Sequence, residues 1–285
     1  LIQSQQSRAR RHLFLAERAA YRVPRVPGDG GGSSVVKTVG VVGAGTMGGG
    51  IAIAHLLAGY PVVIIDAKQQ ENLERGLGMI EKAVQSAVRR GKVPKEVAEK
   101  AGHMLTSGTS TTLVKDCDMV RAVFENMDLK RRIFEELDRV CKDGAILCTN
   151  TSTLDVDLIA QATKRPDKVM GMHFFSPAHI MPLVECVRGK DSSPVTIASV
   201  MATTKRLKKA RRKDLSVGVL VGNCDGFVGN RMLKWYTDET QFLLEEGASP
   251  SQVDRAVRAF GMGMGPLEMS DVAGNDISYL IRWDR

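Results

Sequence analysis

Between Thr38 and Asp66 the hydrophobic pattern changes period twice, and few folds accommodate the sequence that results. A short apolar run, Thr38 to Val42, meets Gly43-Ala44-Gly45-Thr46-Met47-Gly48. An apolar helical stretch, Ile51 to Ala58, follows and closes at Gly59, and a second apolar run, Pro61 to Ile65, ends on Asp66. Strand, glycine turn, helix and strand in that order make a βαβ unit with the spacing of a dinucleotide site. Gly43 allows the tight turn, Gly45 lets backbone approach a pyrophosphate, and Gly48 lets the helix pack closely on the strand. With Ala44, Thr46 and Met47 they form the candidate cofactor turn, and the helix N-terminus behind it offers unpaired N–H groups and a positive dipole end. Asp66, about twenty residues beyond the first glycine, can accept hydrogen bonds from a ribose diol and repels a 2′-phosphate, so the motif predicts NAD over NADP.

The same alternation of apolar strand runs and amphipathic helices continues from 35 to 222. It predicts a Rossmann-type α/β domain with a mostly parallel, doubly wound sheet. From 223 the pattern turns helical, with one long helix expected over Phe227 to Glu246 and another over Pro250 to Phe260, capped by Ser249 or Ser251. Residues 223 to 285 thus read as the first part of an all-α domain. At the other end, residues 1 to 22 carry a helical pattern with Leu13, Phe14, Leu15, Ala19 and Ala20. A Pro/Gly/Ser linker from Val23 to Ser34 makes 1 to 34 a connecting segment. No apolar run approaches the roughly eighteen residues that span a bilayer, so no membrane span is expected. The five cysteines, Cys117, Cys141, Cys148, Cys186 and Cys224, are scattered without C-x-x-C pairing. Reduced thiols are expected, with neither disulfides nor a metal site.

A second feature carries chemistry. Met172-His173-Phe174-Phe175-Ser176-Pro177 is followed by Glu185 inside the apolar run Leu183-Val184-Glu185-Cys186-Val187. An imidazole beside a carboxylate that fixes its tautomer is suited to act as a general base on an alcohol. The pair also fits a satisfied core histidine and an edge-strand glutamate, and the nucleotide motif upstream decides for chemistry.

Five motifs stand in a family's order: the glycine fingerprint, Glu125-Asn126-Met127-Asp128-Leu129-Lys130, Thr149-Asn150-Thr151-Ser152-Thr153-Leu154, the His173 stretch through Glu185, and Gly222 to Arg231. The chain from about Val36 to Ser278 resembles the 3-hydroxyacyl-CoA dehydrogenase family, most closely the dehydrogenase part of multifunctional β-oxidation enzymes of the peroxisomal bifunctional type. The resemblance implies that His173 takes the proton of the 3-hydroxyl while C3 passes hydride to nicotinamide, with Glu185 orienting the ring. It implies a hydroxyl at Ser152 near both substrate and nicotinamide, though Ser152 also fits the N-cap of the helix through Leu158. Asn230 matches a substrate-contacting asparagine, or is a buried structural amide. Glu125 and Lys130 match positions near the cofactor, while by pattern they begin an amphipathic helix and face solvent. Ser176 stands where multifunctional relatives often have Ser and single-function ones Asn.

Two departures matter. At Met119-Val120-Arg121-Ala122-Val123 the family pattern has a Glu and one residue more, and a one-residue slip would reverse which side chains face inward. The basic run from Lys205 to Asp214 is longer than the family's passage into its next strand, predicting a longer surface helix end or loop. That run and Arg8, Arg10 and Arg11 supply much of the +8 net charge. No aromatics are interleaved, so nucleic acid is not expected, and polyanions such as NAD and acyl-CoA would be steered by such a field.

The reading is therefore an NAD-dependent L-3-hydroxyacyl-CoA dehydrogenase, with a peroxisomal or cytoplasmic setting. The resemblance implies that a hydratase domain precedes this piece in the parent chain and further helices follow it. The alternative is a non-catalytic NAD-binding relative, of the crystallin-like structural kind, or an inactive fragment. The intact His173 and Glu185 argue against the former, whereas the altered strand at Arg121 leaves the latter open.

Overall fold

The computed structural model describes residues 2–23, 35–66, 70–207 and 217–275. Eight strands form one sheet: β1 Val39–Val42, β2 Val62–Ile65, β3 Leu105–Gly108, β4 Met119–Ala122, β5 Ile146–Thr149, β6 Val169–Phe174, β7 Leu183–Arg188 and β8 Val217–Gly222. Their order is β3-β2-β1-β4-β5-β6-β7-β8. Neighbours from β3 to β6 run parallel, β7 lies antiparallel to β6, and β8 is parallel to β7. Strands β1, β4 and β5 are buried along their whole length, as a parallel sheet covered on both faces requires.

Helices cover both faces. Next to α1 (Gln5–Ala19), the chain forms α2 (Thr46–Leu57), α3 (Gln70–Arg89), α4 (Lys95–His103), α5 (Met127–Val140), α6 (Val156–Ala160) and α7 (Pro194–Arg206). On one face Ile51, Ile53, Leu56, Ile80, Ile197 and Val200 pack against Val39, Val41, Met170 and Phe174. On the other, Phe134, Leu137 and Ile159 pack against Val42, Val120 and Leu147. The doubly wound expectation thus holds. None of the residues of α1 is buried, and just beyond it the Tyr21 hydroxyl accepts a 2.8 Å hydrogen bond from the Gly218 amide on β8.

The slip suggested at Arg121 does not occur. Asp118 accepts from the Lys37 and Thr38 amides at 2.7 and 2.9 Å and so pins the start of β4. Val39 to Val42 then pair one for one with Met119 to Ala122. Register is kept and Arg121 is directed into the core, 1% exposed. Its guanidinium lies 5.1 Å from the Phe174 ring centre, and neither Nε nor Nη1 has a hydrogen-bond partner among the described residues. Burial pushes its pKa down to about 10. Helix α7 ends at Arg206, so Lys205 and Arg206 lie in its last turn, whereas 208–214 of the basic run and 24–34 of the linker lie outside the described residues. No described helix is long and apolar enough to cross a membrane.

The chain divides into two compact units, Leu1–Phe227 and Val228–Arg285. The second contains α8 (Gly229–Glu245), α9 (Pro250–Phe260) and α10 (Pro266–Ala273). Helix α8 starts at Gly229, later than the pattern suggested, because Gly226 and Phe227 both take positive φ, 68° and 49°. Ser249 caps α9 in a box with Gln252. Asp254 accepts from the Leu267 and Glu268 amides at the start of α10, which joins the two helices. Along α8 only Thr240 is buried, and Met232, Trp235, Phe242 and Leu243 are exposed.

Candidate active site

Parallel strands bring the carboxyl ends of β1, β4, β5 and β6 to one edge of the sheet, and the strand order reverses between β1 and β4, where nucleotides bind in open α/β sheets. The glycine turn leaves β1 at this edge. Gly43 has φ 110°, a conformation costly for any side chain, and a Cβ on Gly48 would lie 1.8 Å from the Gly43 carbonyl oxygen. A Cβ on Gly45 would meet nothing within 4 Å, so this face of the turn is open. Gly45 caps α2 without a side-chain bond, leaving the first-turn N–H groups of Thr46 and Met47 for a ligand. Asp66 is buried and its Oδ2 accepts from the Ala44 amide at 3.0 Å, which ties the acid at the end of β2 to the turn at the end of β1.

His173 and Glu185 are direct cross-strand partners in the antiparallel β6–β7 pair, and side chains opposite each other on one face of a sheet meet. His173 Nδ1 lies 2.7 Å from Glu185 Oε2, and both residues are buried. With Nδ1–H donating to the carboxylate, Nε2 carries the lone pair. Ser152 Oγ sits 3.2 Å from that nitrogen. The ring is walled by Phe175 and Phe227, with centroids 4.5 and 5.6 Å away. This nitrogen has its partner fixed behind it and a hydroxyl in front, the arrangement that proton abstraction from an alcohol needs.

Ser152 is not the helix cap that its neighbourhood allowed. Asp155 takes that place, accepting from the Asp157 and Leu158 amides, and frees Ser152 for the histidine. The solvated-face expectation for Lys130 is also overturned. Asn126 caps α5 at the Leu129 amide, which turns Lys130 inward onto β5. Lys130 is fully buried, donates to Thr149 Oγ1 at 2.7 Å and lies 3.8 Å from Glu125 Oε2. Burial lowers its pKa to about 8, and the Glu125 carboxylate opposes that shift. Glu125 in turn accepts from Thr151 Oγ1 and the Ser152 amide, each at 2.8 Å. Ser176 is exposed just past β6, and Asn230 is half-buried in the first turn of α8, in the second unit.

Sequence reasoning singled out Ser152 but not Thr149, Asn150 or Thr151. Asn150 Oδ1 accepts from the Phe174 amide at 2.9 Å and fixes the end of β6 beside the histidine. A run of five hydrogen-bonding residues, Thr149 to Thr153, closing an otherwise apolar strand was the available signal. None of the five cysteines is in a disulfide, and Cys186 beside Glu185 is buried, which pushes its thiol up to about 11 and makes it inert.

Comparison with known proteins identifies the family. Residues 38–211 match the model of the 3-hydroxyacyl-CoA dehydrogenase NAD binding domain, and 226–283 that of the 3-hydroxyacyl-CoA dehydrogenase C-terminal domain. The peroxisomal bifunctional enzyme of Cavia porcellus is 44% identical over 99% of this chain, which spans 38% of that relative's length. Among solved structures, FadB2 of M. tuberculosis superposes with a TM-score of 0.79 at 35% identity, covering 85% of this chain and 84% of that one. The (S)-3-hydroxybutyryl-CoA dehydrogenase PaaH1 of Ralstonia eutropha gives 0.77 at 34%, covering 85% and 83%. With a nucleotide turn, a histidine–glutamate pair and both family domains in sequence, the chain belongs to the 3-hydroxyacyl-CoA dehydrogenase family.

Proposed function

We propose that this chain oxidises an L-3-hydroxyacyl-CoA to the 3-oxoacyl-CoA with NAD, as the dehydrogenase segment of a longer β-oxidation enzyme in the peroxisome. The observation that carries the reading is the His173–Glu185 pair, with Ser152 at the free imidazole nitrogen, on the sheet edge that also bears the nucleotide turn. His173 Nε2 accepts the 3-hydroxyl proton as the C3–H bond breaks and its electron pair leaves as hydride for the nicotinamide; the C–O bond becomes a carbonyl. Glu185 holds the ring in the tautomer that leaves Nε2 unprotonated and sets its charge against the imidazolium that forms. Ser152 hydrogen-bonds the reacting oxygen. The family resemblance is the support for a substrate contact by Asn230.

NAD itself supplies the hydride acceptor. Gly43 to Gly48 would hold its pyrophosphate and Asp66 its adenosine ribose, with Glu125, Ser152 and Ser176 as the candidates to hold the remainder. The relatives named as peroxisomal bifunctional and β-oxidation multifunctional proteins support the proposed setting, with other domains on either side in the parent chain.

The test is an absorbance trace at the NADH band, with 3-hydroxybutyryl-CoA forward or acetoacetyl-CoA in reverse. His173→Gln is expected to lower turnover at least ~10²-fold with NAD affinity within a few-fold, and Glu185→Gln to follow it. Near-wild-type oxidation by His173→Gln would show that another group is the base.

A further inference from the structure

Away from the histidine, the hairpin of α3 and α4 leaves space between its two helices. Leu77, Ile80, Val84 and Val88 recur at helical spacing along one face of α3, and α4 offers them only the short side chains of Ala98 and Ala101. A Cβ on Gly102 would meet nothing within 4 Å. The result is a cavity of about 660 Å³, lined also by Leu56 of α2 and Leu105 of β3. Protein interiors are packed to the density of organic crystals, so a void of this size forfeits contacts that larger side chains on α4 would make. Its volume falls in the range of about 300–1,000 Å³ that small-molecule sites occupy. The nucleotide turn is elsewhere: Leu56 lies toward the far end of α2 from Thr46, about 15 Å away by helical rise.

Length and charge define the occupant. From Leu77 to Arg89 the lining face of α3 runs about 18 Å, so the cavity is elongated. Four charged side chains line it, and the two acids are engaged: Glu81 accepts from Gln85 Nε2 at 2.8 Å, and Glu99 lies 3.5 Å from Lys95. Arg89 pairs with no acid among the described residues and is exposed. The Lys95–Glu99 pair is also exposed, and such pairs hold weakly, which leaves Lys95 able to turn to another anion. Arg89 closes α3 and Lys95 opens α4, so both cations stand at the turn of the hairpin. Pro94 caps α4 without a side-chain bond, and the first-turn N–H groups of Lys95 and Glu96 add to the positive end. We infer that this cavity binds the anion of a free straight-chain fatty acid, with the alkyl chain along α3 and the carboxylate at Arg89 and the start of α4. A carboxylate matches one guanidinium bidentately, whereas a thioester brings no charge to that end. The inference is independent of the oxidation assigned to His173.

The experiment titrates cis-parinaric acid, a fluorescent straight-chain carboxylate, into the whole chain below its micelle concentration. Saturable binding of one molecule per chain is expected. Dodecanoate and hexadecanoate should displace it, the longer more tightly, by up to about four-fold per added methylene while the cavity holds the chain. Dodecanol and dodecylamine, neutral and cationic at the head, should compete at least ~10-fold more weakly than dodecanoate, because the charge-assisted contact is lost. Ala98→Trp, which fills the cavity, should abolish binding, and Arg89→Glu should weaken it ~10-fold or more. Both variants should bind NAD as the parent does, since the glycine turn lies at the other end of α2. Uptake without saturation, equal affinity for the three head groups, or unchanged affinity in the variants overturns the inference. Displacement of the probe by NAD or acetoacetyl-CoA also overturns it, because the probe would then occupy the catalytic site. Should Ala98→Trp fail to fold, Arg89→Glu, at an exposed position, and the head-group series still decide the question.

Discussion

Replacing Arg121 with methionine should make the protein more stable, although the arginine is buried in the core. The guanidinium is 1% exposed, with no carboxylate beside it and two nitrogens unpartnered among the described residues. Burial lowers its pKa to about 10, a shift that at 1.36 kcal/mol per pK unit corresponds to about 3 kcal/mol of penalty for the charged form in the fold. Stacking on Phe174 at 5.1 Å offsets part of this, up to about 2 kcal/mol for a desolvated pair. Methionine keeps an unbranched stem and a sulfur–aromatic contact with the same ring, about 0.5 kcal/mol. The net expectation is a gain of about 2 kcal/mol, or a rise in Tm of roughly 4–8 °C for a unit of this size. The pH dependence has a definite sign. A base whose pKa is lowered by folding destabilises the fold fully below its folded pKa, and the penalty fades as pH rises above about 10 and the folded group deprotonates. Urea midpoints of the two proteins should therefore differ by a constant amount from pH 7 to 9 and converge above 10. An Arg121→Met protein less stable than the parent at pH 7 would refute the reasoning and mean that the guanidinium is satisfied.

Three further outcomes follow from the same geometry. Asp66→Ala should narrow the preference for NAD over NADP in fluorescence titrations, since the ribose acceptor and the repulsion of a 2′-phosphate go together; equal binding of both cofactors by the unmutated chain would reject the assignment. Gly48→Ala should abolish NAD binding, because its Cβ would fall 1.8 Å from the Gly43 carbonyl oxygen and push α2 off the turn; retention of affinity by calorimetry would show that the helix shifts at little cost. Of the five thiols, Cys224 alone is exposed, so a disulfide reagent should titrate one per native chain quickly, and a second fast thiol would contradict the burial of the sheet cysteines.

The nucleotide half was legible because each glycine does one backbone job that no other residue does as cheaply, and that requirement shows in spacing alone. The histidine and glutamate were legible as residue types, but their meeting depends on β7 turning back against β6, which no periodicity encodes. Lys130 misled for a related reason: its place in a helical pattern suits solvent, and only the Asn126 cap, by setting where α5 begins, rotates it onto β5. Arg121 misled in the other direction. A missing residue suggested a slipped strand, but Asp118 anchors the strand to Thr38 and the chain keeps register at the expense of burying a charge.

The antiparallel seam between β6 and β7 also orders events during synthesis. The glycine turn and Asp66 lie early in the chain, on β1, α2 and β2, so the residues of the nucleotide cradle are made well before Glu185. His173 then waits on β6 without its carboxylate until the next strand arrives and pairs residue against residue. On the proposed reading, the residues that hold the cofactor and the carboxylate that orients the base are thus made at separate times, and a chain ending before β7 lacks Glu185 altogether.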